Sequence, residues 1–156
     1  MRLSHLADYA VVLMTAAARR PAGARLSATE LAQDTGVPLP TAQKLMGQLA
    51  VCGLLSSVRG AGGGFALSKA AGEISLADIV EAVEGPIAMT ACSEGRTDCA
   101  LDAHCQVKPH MGFVGDAVRG ALDAVSLIQL CSPAKAGARP REERVWAPAS
   151  AGAQSA

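Results

Sequence analysis

The fold is decided by residues 27–68, which read SATELAQDTGVPLPTAQKLMGQLAVCGLLSSVRGAGGGFALS. A Ser-x-x-Glu capping box at 27–30 predicts the start of a short helix, and Gly36 predicts its end. Beyond the Gly-Val-Pro turn, apolar residues at helical spacing predict another helix over about 40–52, stopped by Gly53. Two such helices joined by a glycine-containing turn are typical of a helix-turn-helix, whose second helix presents polar side chains to the major groove of DNA.

This second helix is predicted to have a core face and a DNA-facing side. The core face is predicted to consist of Ala42, Leu45, Leu49 and Cys52. The residues expected to point outward and to contact bases or phosphates are Thr41, Gln43, Lys44 and Gln48.

A glycine-rich hairpin follows the second helix. Residues 54–58 and 65–68 read as strands, separated by Arg59-Gly60-Ala61-Gly62-Gly63-Gly64. The loop does not fit a nucleotide-binding loop, because no Gly-Lys-Ser/Thr ends it and a strand follows it where a helix is needed. A hairpin at this place is a wing. We expect glycines such as Gly62 to permit close approach of the backbone to DNA, and Arg59 to reach a phosphate or a narrow minor groove.

Helical patterns on both sides complete the predicted fold. A first helix capped by Ser4 has a core face of Leu6, Ala10, Leu13, Met14 and Ala17. Another begins at Ser75 with a Ser-x-x-Asp signal, ends at Gly85, and is expected to pack against the wing. A third covers about 109–125, and its many small residues favour the close approach of a second copy. The predicted fold class is mainly α, a winged helix-turn-helix with a small β-hairpin wing and a long C-terminal dimerisation helix.

We divide the chain into four parts on this basis. They are a DNA-binding domain over 1–85, a cysteine-rich loop over 86–109, a dimerisation helix over 110–131 and a tail over 132–156 that is predicted to be disordered.

Composition limits the class of protein. The 156 residues carry no net charge, but residues 1–70 hold seven Lys/Arg against three Asp/Glu, whereas residues 71–131 hold three against nine. A basic front and an acidic rear suit a polyanion-binding protein. The longest early apolar run, Ala10 to Ala18, is too short to span a bilayer, and its flanking charges do not fit a signal peptide. We therefore expect a cytoplasmic protein of one domain that is not a membrane protein.

The cysteines indicate a metal site. Five cysteines, an odd number, argue against a disulfide framework. Three of them, Cys92, Cys99 and Cys105, lie in a polar loop where thiolates can converge on an iron-sulfur cluster or on zinc. The absence of a close Cys-x-x-Cys pair argues against a structural zinc site. A site with four ligands needs one more donor, and the candidates are His5, His104, His110 and Asp8.

Taken together, these features resemble a known family, the winged-helix regulators that include the iron-sulfur sensors IscR and NsrR. The resemblance covers about residues 1–131. It is carried by the opening MRLSHLADYA, the Leu31-Ala32 helix before Gly36-Val37-Pro38, the wing from Arg59 to Leu67, the segment Ile74 to Val80, and the three-cysteine loop. The opening and the cysteine loop are most similar to regulators of the SUF system of iron-sulfur assembly.

The resemblance implies a function and a set of ligands. It implies a homodimeric transcriptional regulator, not an enzyme, that binds a roughly palindromic double-stranded DNA operator and controls iron-sulfur assembly genes. Cys92, Cys99 and Cys105 would ligate the cluster. One branch of the family adds a histidine three residues after the last cysteine, where this chain has Lys108. Another adds an aspartate from the first helix of the other subunit, and Asp8 matches it, which favours Asp8 over His104 or His110. The cluster type, 2Fe-2S or 4Fe-4S, stays open.

Other functions fit the same residues. One alternative keeps the DNA-binding module but takes nitric oxide or oxidative stress as the signal, which gives a redox-sensing repressor of the same family. Another takes zinc as the metal. A protein of a different class, a small iron-sulfur carrier without DNA binding, leaves the basic front and the wing without a purpose. A metal-free member of the family that senses a metabolite or a partner enzyme is the remaining alternative.

Overall fold

The structure, a computed structural model, describes residues 3–58, 60, 63–90 and 104–132. Its elements are α1 (His5–Ala18), α2 (Ala28–Thr35), α3 (Leu39–Val51), β1 (Leu55–Val58), β2 (Gly64–Leu67), a 3₁₀ turn (Ala71–Glu73), α4 (Leu76–Glu84), α5 (Lys108–Asp123) and α6 (Leu127–Cys131). The mainly helical fold with a two-stranded antiparallel hairpin confirms the predicted winged-helix class. None of the described helices is long and apolar enough to cross a membrane. The predicted disordered tail lies outside the described residues, apart from Ser132.

Helix α1 forms the centre of the core. It begins where Ser4 Oγ accepts a hydrogen bond from the backbone N–H of Ala7 at 3.2 Å, which is an N-cap. Its buried residues are Ala7, Ala10, Leu13, Met14 and Ala17. The prediction that Leu6 belongs to this face was wrong, because Leu6 lies at the edge of the stripe and is 40% exposed while Ala7 is fully covered.

Helices α2 and α3 pack together as the predicted helix-turn-helix. Ser27 caps α2 by accepting from the N–H of Thr29 at 3.2 Å, and Gly36 ends it with a left-handed φ of 76°. Helix α3 buries Ala42, Leu45, Met46 and Leu49. The expected burial of Cys52 was wrong. The helix ends at Val51, so Cys52 lies at the cap position, just before the chain turns at Gly53, and is exposed.

The wing is joined to the start of α2. Strands β1 and β2 pair from Leu55↔Leu67 to Val58↔Gly64. Leu26, directly before the cap of α2, pairs with Phe65 on the outer edge of β2 through two backbone hydrogen bonds of 2.6 and 2.9 Å. The pairing occupies one edge of the hairpin and fixes the wing relative to α2.

Helix α4 begins with a reciprocal capping box. Ser75 Oγ accepts from the N–H of Asp78 at 3.1 Å, and the Asp78 carboxylate accepts from the N–H of Ser75 at 2.9 Å, as the sequence predicts. The helix packs mainly on α1, α3 and α5, so the expected packing against the wing was wrong. Its buried face, which includes Ile79 and Ala82, is turned towards the core formed by α1 and α3.

The C-terminal part contains two helices. The helix predicted over about 109–125 is α5, and the part assigned to a dimerisation helix, 110–131, also contains a turn and α6. Helix α5 ends at Asp123, and α6 then runs from Leu127 to Cys131 against α1. Two backbone hydrogen bonds hold the connection, from Leu76 N to Val125 O at 2.8 Å and from Leu127 N to Ile74 O at 2.7 Å. Leu127 is fully buried in the core.

Candidate nucleic-acid interface and cysteine segment

Helix α3 presents most of the predicted DNA-facing residues at the surface. Gln43 and Lys44 are exposed, and Thr41 is half-buried. The buried residues Leu45 and Leu49 hold the opposite side of the helix in the core. This polar surface has the composition that a recognition helix uses to contact base edges and phosphates.

Gln48 does not share this surface, which corrects the expectation that it points outward. Its side-chain Nε2 donates to the backbone carbonyl oxygens of Ala82 at 3.0 Å and Val83 at 3.3 Å. Those carbonyls belong to the last turn of α4, where a helix has no internal donors left to bind them. Gln48 therefore joins α3 to α4 and is not part of the proposed DNA contact set.

A further basic residue, Arg25, lies beside the wing. Arg59 and Gly62 lie outside the described residues, but the structure describes Gly63 and Gly64, where the glycine loop of the wing joins β2; we call this point the base of the wing. A Cβ atom added to Gly64 would lie 2.7 Å from the carbonyl oxygen of Leu26 and 3.0 Å from Cγ of Arg25. The exposed Arg25 side chain thus lies against the base of the wing. Sequence reasoning missed Arg25, because its position depends on the pairing of Leu26 with Phe65.

Of the three-cysteine segment, residues 92–105, the structure describes only the end that leads into α5. Cys105 is a half-buried free thiol three residues before Lys108, the first residue of α5. Cys92 and Cys99 lie outside the described residues. Among the other predicted donors, Asp8 is exposed in the first turn of α1, and His104 and His110 are exposed on either side of the α5 N-terminus.

These residues fit an iron-sulfur cluster by the chemistry of their donors. Thiolates are the usual ligands of such clusters. Cys105 is not part of the hydrophobic core. Exposed Asp8 and the two histidines supply oxygen or nitrogen donors that can complete a set of four. No group of three or more metal-binding side chains comes together within the described ranges, which omit Cys92 and Cys99.

A bidentate ion pair connects α5 to α4. Arg119 donates from Nε to Glu81 Oε1 at 3.1 Å and from Nη2 to Glu81 Oε2 at 3.2 Å. The hydrogen bond to Glu81, together with the charge of that carboxylate, raises the pKa of Arg119 above its ordinary value. Glu81 Oε1 also accepts from the backbone N–H of Ile87 at 3.3 Å.

Two cysteines lie apart from the three-cysteine segment. Cys52 is exposed, with its Sγ 3.6 Å from the carbonyl oxygen of Ala82. Cys131 on α6 has its Sγ 3.6 Å from the carbonyl oxygen of Thr15. Desolvation at this half-buried place raises the pKa of the Cys131 thiol, against a smaller opposite effect of Arg19.

The fold and the surface of α3 define a winged-helix transcriptional regulator. The family model of Rrf2, an iron-dependent transcriptional regulator, matches residues 3–133 of this chain. The chain therefore belongs to the Rrf2 family, and it is a regulator and not an enzyme. The family resemblance stated from the sequence is confirmed at this level, and with it the assignment to DNA binding and transcription regulation.

Relatives and solved structures agree with this membership. The transcriptional regulator IscR of Photorhabdus laumondii is 32% identical over 130 residues, which cover 83% of this chain and 79% of the relative. IscR of Citrobacter koseri is 30% identical over the same shares. The structure of CymR, the global cysteine regulator of B. subtilis, superposes with a TM-score of 0.64 at 26% identity, covering 84% of this chain and 96% of CymR. IscR of T. potens has a TM-score of 0.61 at 25% identity, covering 83% and 85%.

Proposed function

We propose that this regulator is a homodimer that senses iron-sulfur cluster status and controls SUF iron-sulfur assembly genes. One observation carries the proposal: a three-cysteine segment that ends with the free thiol of Cys105 directly precedes α5, in a chain whose α3 carries a DNA-facing surface. A change in the ligation of this segment acts next to the helix that we expect to hold the dimer together.

The DNA contacts in this proposal come from two elements. Thr41, Gln43 and Lys44 on α3 contact base edges or phosphates in the major groove. The wing contacts the backbone or the minor groove through Arg59 and Gly62, and Arg25 adds a positive charge at the base of the wing. The exposure of Gln43, Lys44 and Arg25 supports this set.

The cluster ligands are Cys92, Cys99 and Cys105, with Asp8 of the other subunit as the fourth. When bound, an iron-sulfur cluster supplies a redox- and iron-sensitive group that cells can build, damage or remove. The similarity to IscR regulators supports a cluster. The IscR branch takes its fourth ligand from a histidine three residues after the last cysteine, but this chain has Lys108 there, which supports a fourth ligand other than that histidine. An oxygen donor among thiolates makes the cluster easier to lose, which suits a sensor.

The dimer is proposed to form through α5. Phe113 is 77% exposed and Val114 is also exposed, although both are apolar. The small residues Ala117, Gly120 and Ala121 are exposed on the same helix. Large apolar side chains beside small residues form a surface on which a second helix can pack closely, and a dimer of this kind places two recognition helices on one operator.

Purification without oxygen tests the metal assignment. The untagged protein is isolated anaerobically, and its visible absorbance and its iron, sulfide and zinc contents are measured on one sample. The proposal expects a coloured protein with iron and acid-labile sulfide, and loss of iron in Cys105→Ala. Colourless protein with stoichiometric zinc, or no metal after cluster reconstitution, would contradict it.

A second candidate is a metal-free regulator that responds to a metabolite or a partner enzyme. The likeness to CymR, a cysteine regulator, favours this alternative. It predicts that Cys92→Ala leaves regulation of a reporter gene unchanged, whereas the cluster sensor requires that this variant lose its response.

A further inference from the structure

Glu81 is bound from both sides of the cysteine segment. Its Oε1 accepts from the backbone N–H of Ile87, which precedes the segment in the chain. Both of its oxygens accept from the guanidinium of Arg119, on the helix that follows the segment. One carboxylate on α4 therefore holds the chain on both flanks of the three-cysteine segment, residues 92–105.

A second contact supports this close association of the flanks. A Cβ added to Gly115 of α5 would lie 3.5 Å from the carbonyl oxygen of Ile87, so the backbone of α5 packs directly on the residue whose N–H Glu81 accepts. Gly115 is the buried residue of α5, in a helix that is otherwise largely exposed. Ile87, α5 and Glu81 thus meet at one place.

The same turn of α4 holds the recognition helix. The carbonyl oxygens of Ala82 and Val83, the two residues after Glu81, accept from Gln48 Nε2 on α3. Since α4 is a single helix of nine residues, a displacement of Glu81 also displaces these carbonyls. The contact from Gln48 passes that displacement to α3.

We propose that Glu81 is a positioning residue that couples the flanks of the cysteine segment to the recognition helix through Gln48. The Glu81 and Arg119 side chains are 25% and 44% exposed, so their ion pair can open without exposing the apolar core. A link of this kind is suited to switching, because a change in the segment can break it while the fold persists. The inference rests on the proposed function only in taking ligation of the cysteine segment as the signal.

Hydrogen exchange tests the coupling without any cluster. Glu81→Gln removes the charge that holds Arg119, and Asp116→Asn removes an exposed carboxylate one turn earlier on α5 as a matched control. In the full-length metal-free protein we expect Glu81→Gln to speed amide exchange in α3 and around Ile87 by more than it does in α1. A change confined to α5 and Ile87, or one that extends equally to α1, overturns the coupling.

Operator affinity tests its role in regulation. Kd is measured by fluorescence anisotropy for an operator duplex selected in vitro by the wild-type protein, with both metal-free and cluster-loaded samples. We expect Glu81→Gln to bind the same amount of iron as the wild type. The ratio between the Kd values of the metal-free and cluster-loaded forms should be about fivefold closer to one than in the wild type. An unchanged ratio overturns the proposal. If the wild type itself shows no difference between the two forms, cluster sensing is wrong, and the exchange experiment still decides whether Glu81 is coupled to α3.

Discussion

The side-chain amide Nε2 of Gln48 lies 3.0 Å from the carbonyl oxygen of Ala82 and donates a hydrogen bond to it, which caps the C-terminal end of α4. Carbonyls in the last turn of a helix otherwise depend on water or on a capping group. The recognition helix thus supplies a side chain that completes the hydrogen bonding of α4. It is oriented by this polar contact as well as by the packing of its apolar face.

Removal of the Gln48 amide should lower stability. Gln48→Ala leaves the carbonyls of Ala82 and Val83 without this donor, so we expect the free energy of unfolding to fall by about 1 kcal/mol. Urea denaturation followed by circular dichroism measures it, at one fixed protein concentration. Gln43→Ala, on the exposed side of the same helix, is the control, and an equal loss in both variants would show that the contact contributes nothing.

Removal of the Lys44 charge should weaken DNA binding. Lys44 is exposed on α3, so we expect Lys44→Ala to weaken operator binding and to lower the slope of log K against log salt by about 1, with metal content unchanged. Lys69→Ala removes an equal charge from an exposed residue just beyond the wing and is the control. Unaltered affinity in Lys44→Ala would contradict the assignment of α3 as the recognition helix.

A methyl group at position 64 should disturb the base of the wing. The added Cβ would lie 2.7 Å from the carbonyl oxygen of Leu26, so that the pairing of Leu26 with Phe65 must shift. We expect Gly64→Ala to cost about 1–3 kcal/mol of unfolding free energy and to weaken operator binding. Gly72→Ala meets only an ordinary contact at 3.9 Å and serves as the control. Equal stability and affinity in the two variants would show that the wing base tolerates the change.

A charge at position 113 should separate the dimer. Phe113 is the most exposed aromatic side chain among the described residues, and Phe113→Glu would place a carboxylate in the proposed interface. Sedimentation equilibrium is expected to give a dimer for the wild type and a monomer for the variant. Val51→Glu, at an exposed apolar residue of α3, should remain dimeric. A dimer that survives Phe113→Glu would place the interface elsewhere.

Cys131 should react more slowly than Cys52. Burial raises the pKa of the Cys131 thiol, so at pH 8 a smaller fraction of it is ionised than of a thiol with the ordinary pKa. Because the thiolate is the form that reacts with an alkylating agent, Cys131 should react slowly. Cys52 is exposed and should be labelled first by iodoacetamide in the native protein, with peptide mass spectrometry as the readout. The rate at Cys131 should rise steeply as the pH is increased above 8. A faster reaction at Cys131 than at Cys52 would contradict its burial.

The sequence predicted the elements whose signals are local. Three kinds of local signal were read correctly: the caps at Ser4, Ser27 and Ser75, the left-handed turn at Gly36, and the hairpin whose second strand begins at Gly64. A capping side chain acts within three residues of its own position, so its pattern is visible in the sequence.

The errors concern contacts between residues distant in the chain. Gln48 has the spacing of an outward residue, but a carbonyl 34 residues later in the chain turns its amide inward. Cys52 has the spacing of a core residue, but the helix stops one residue before it. Arg25 gains its place beside the wing only through the strand pairing of Leu26. Periodicity within one helix does not contain such information, because it depends on which other element covers each face.

The burial of Leu127 affects how the chain can fold while it is being synthesised. This side chain fills the core beneath α1, although 100 residues separate it from the helix-turn-helix that begins at Ser27. A ribosome must therefore have made most of the chain before the first helix can complete its packing. The nascent DNA-binding region would leave part of its core open until α6 emerges, so premature termination ahead of residue 127 should yield a product that quality-control proteases remove.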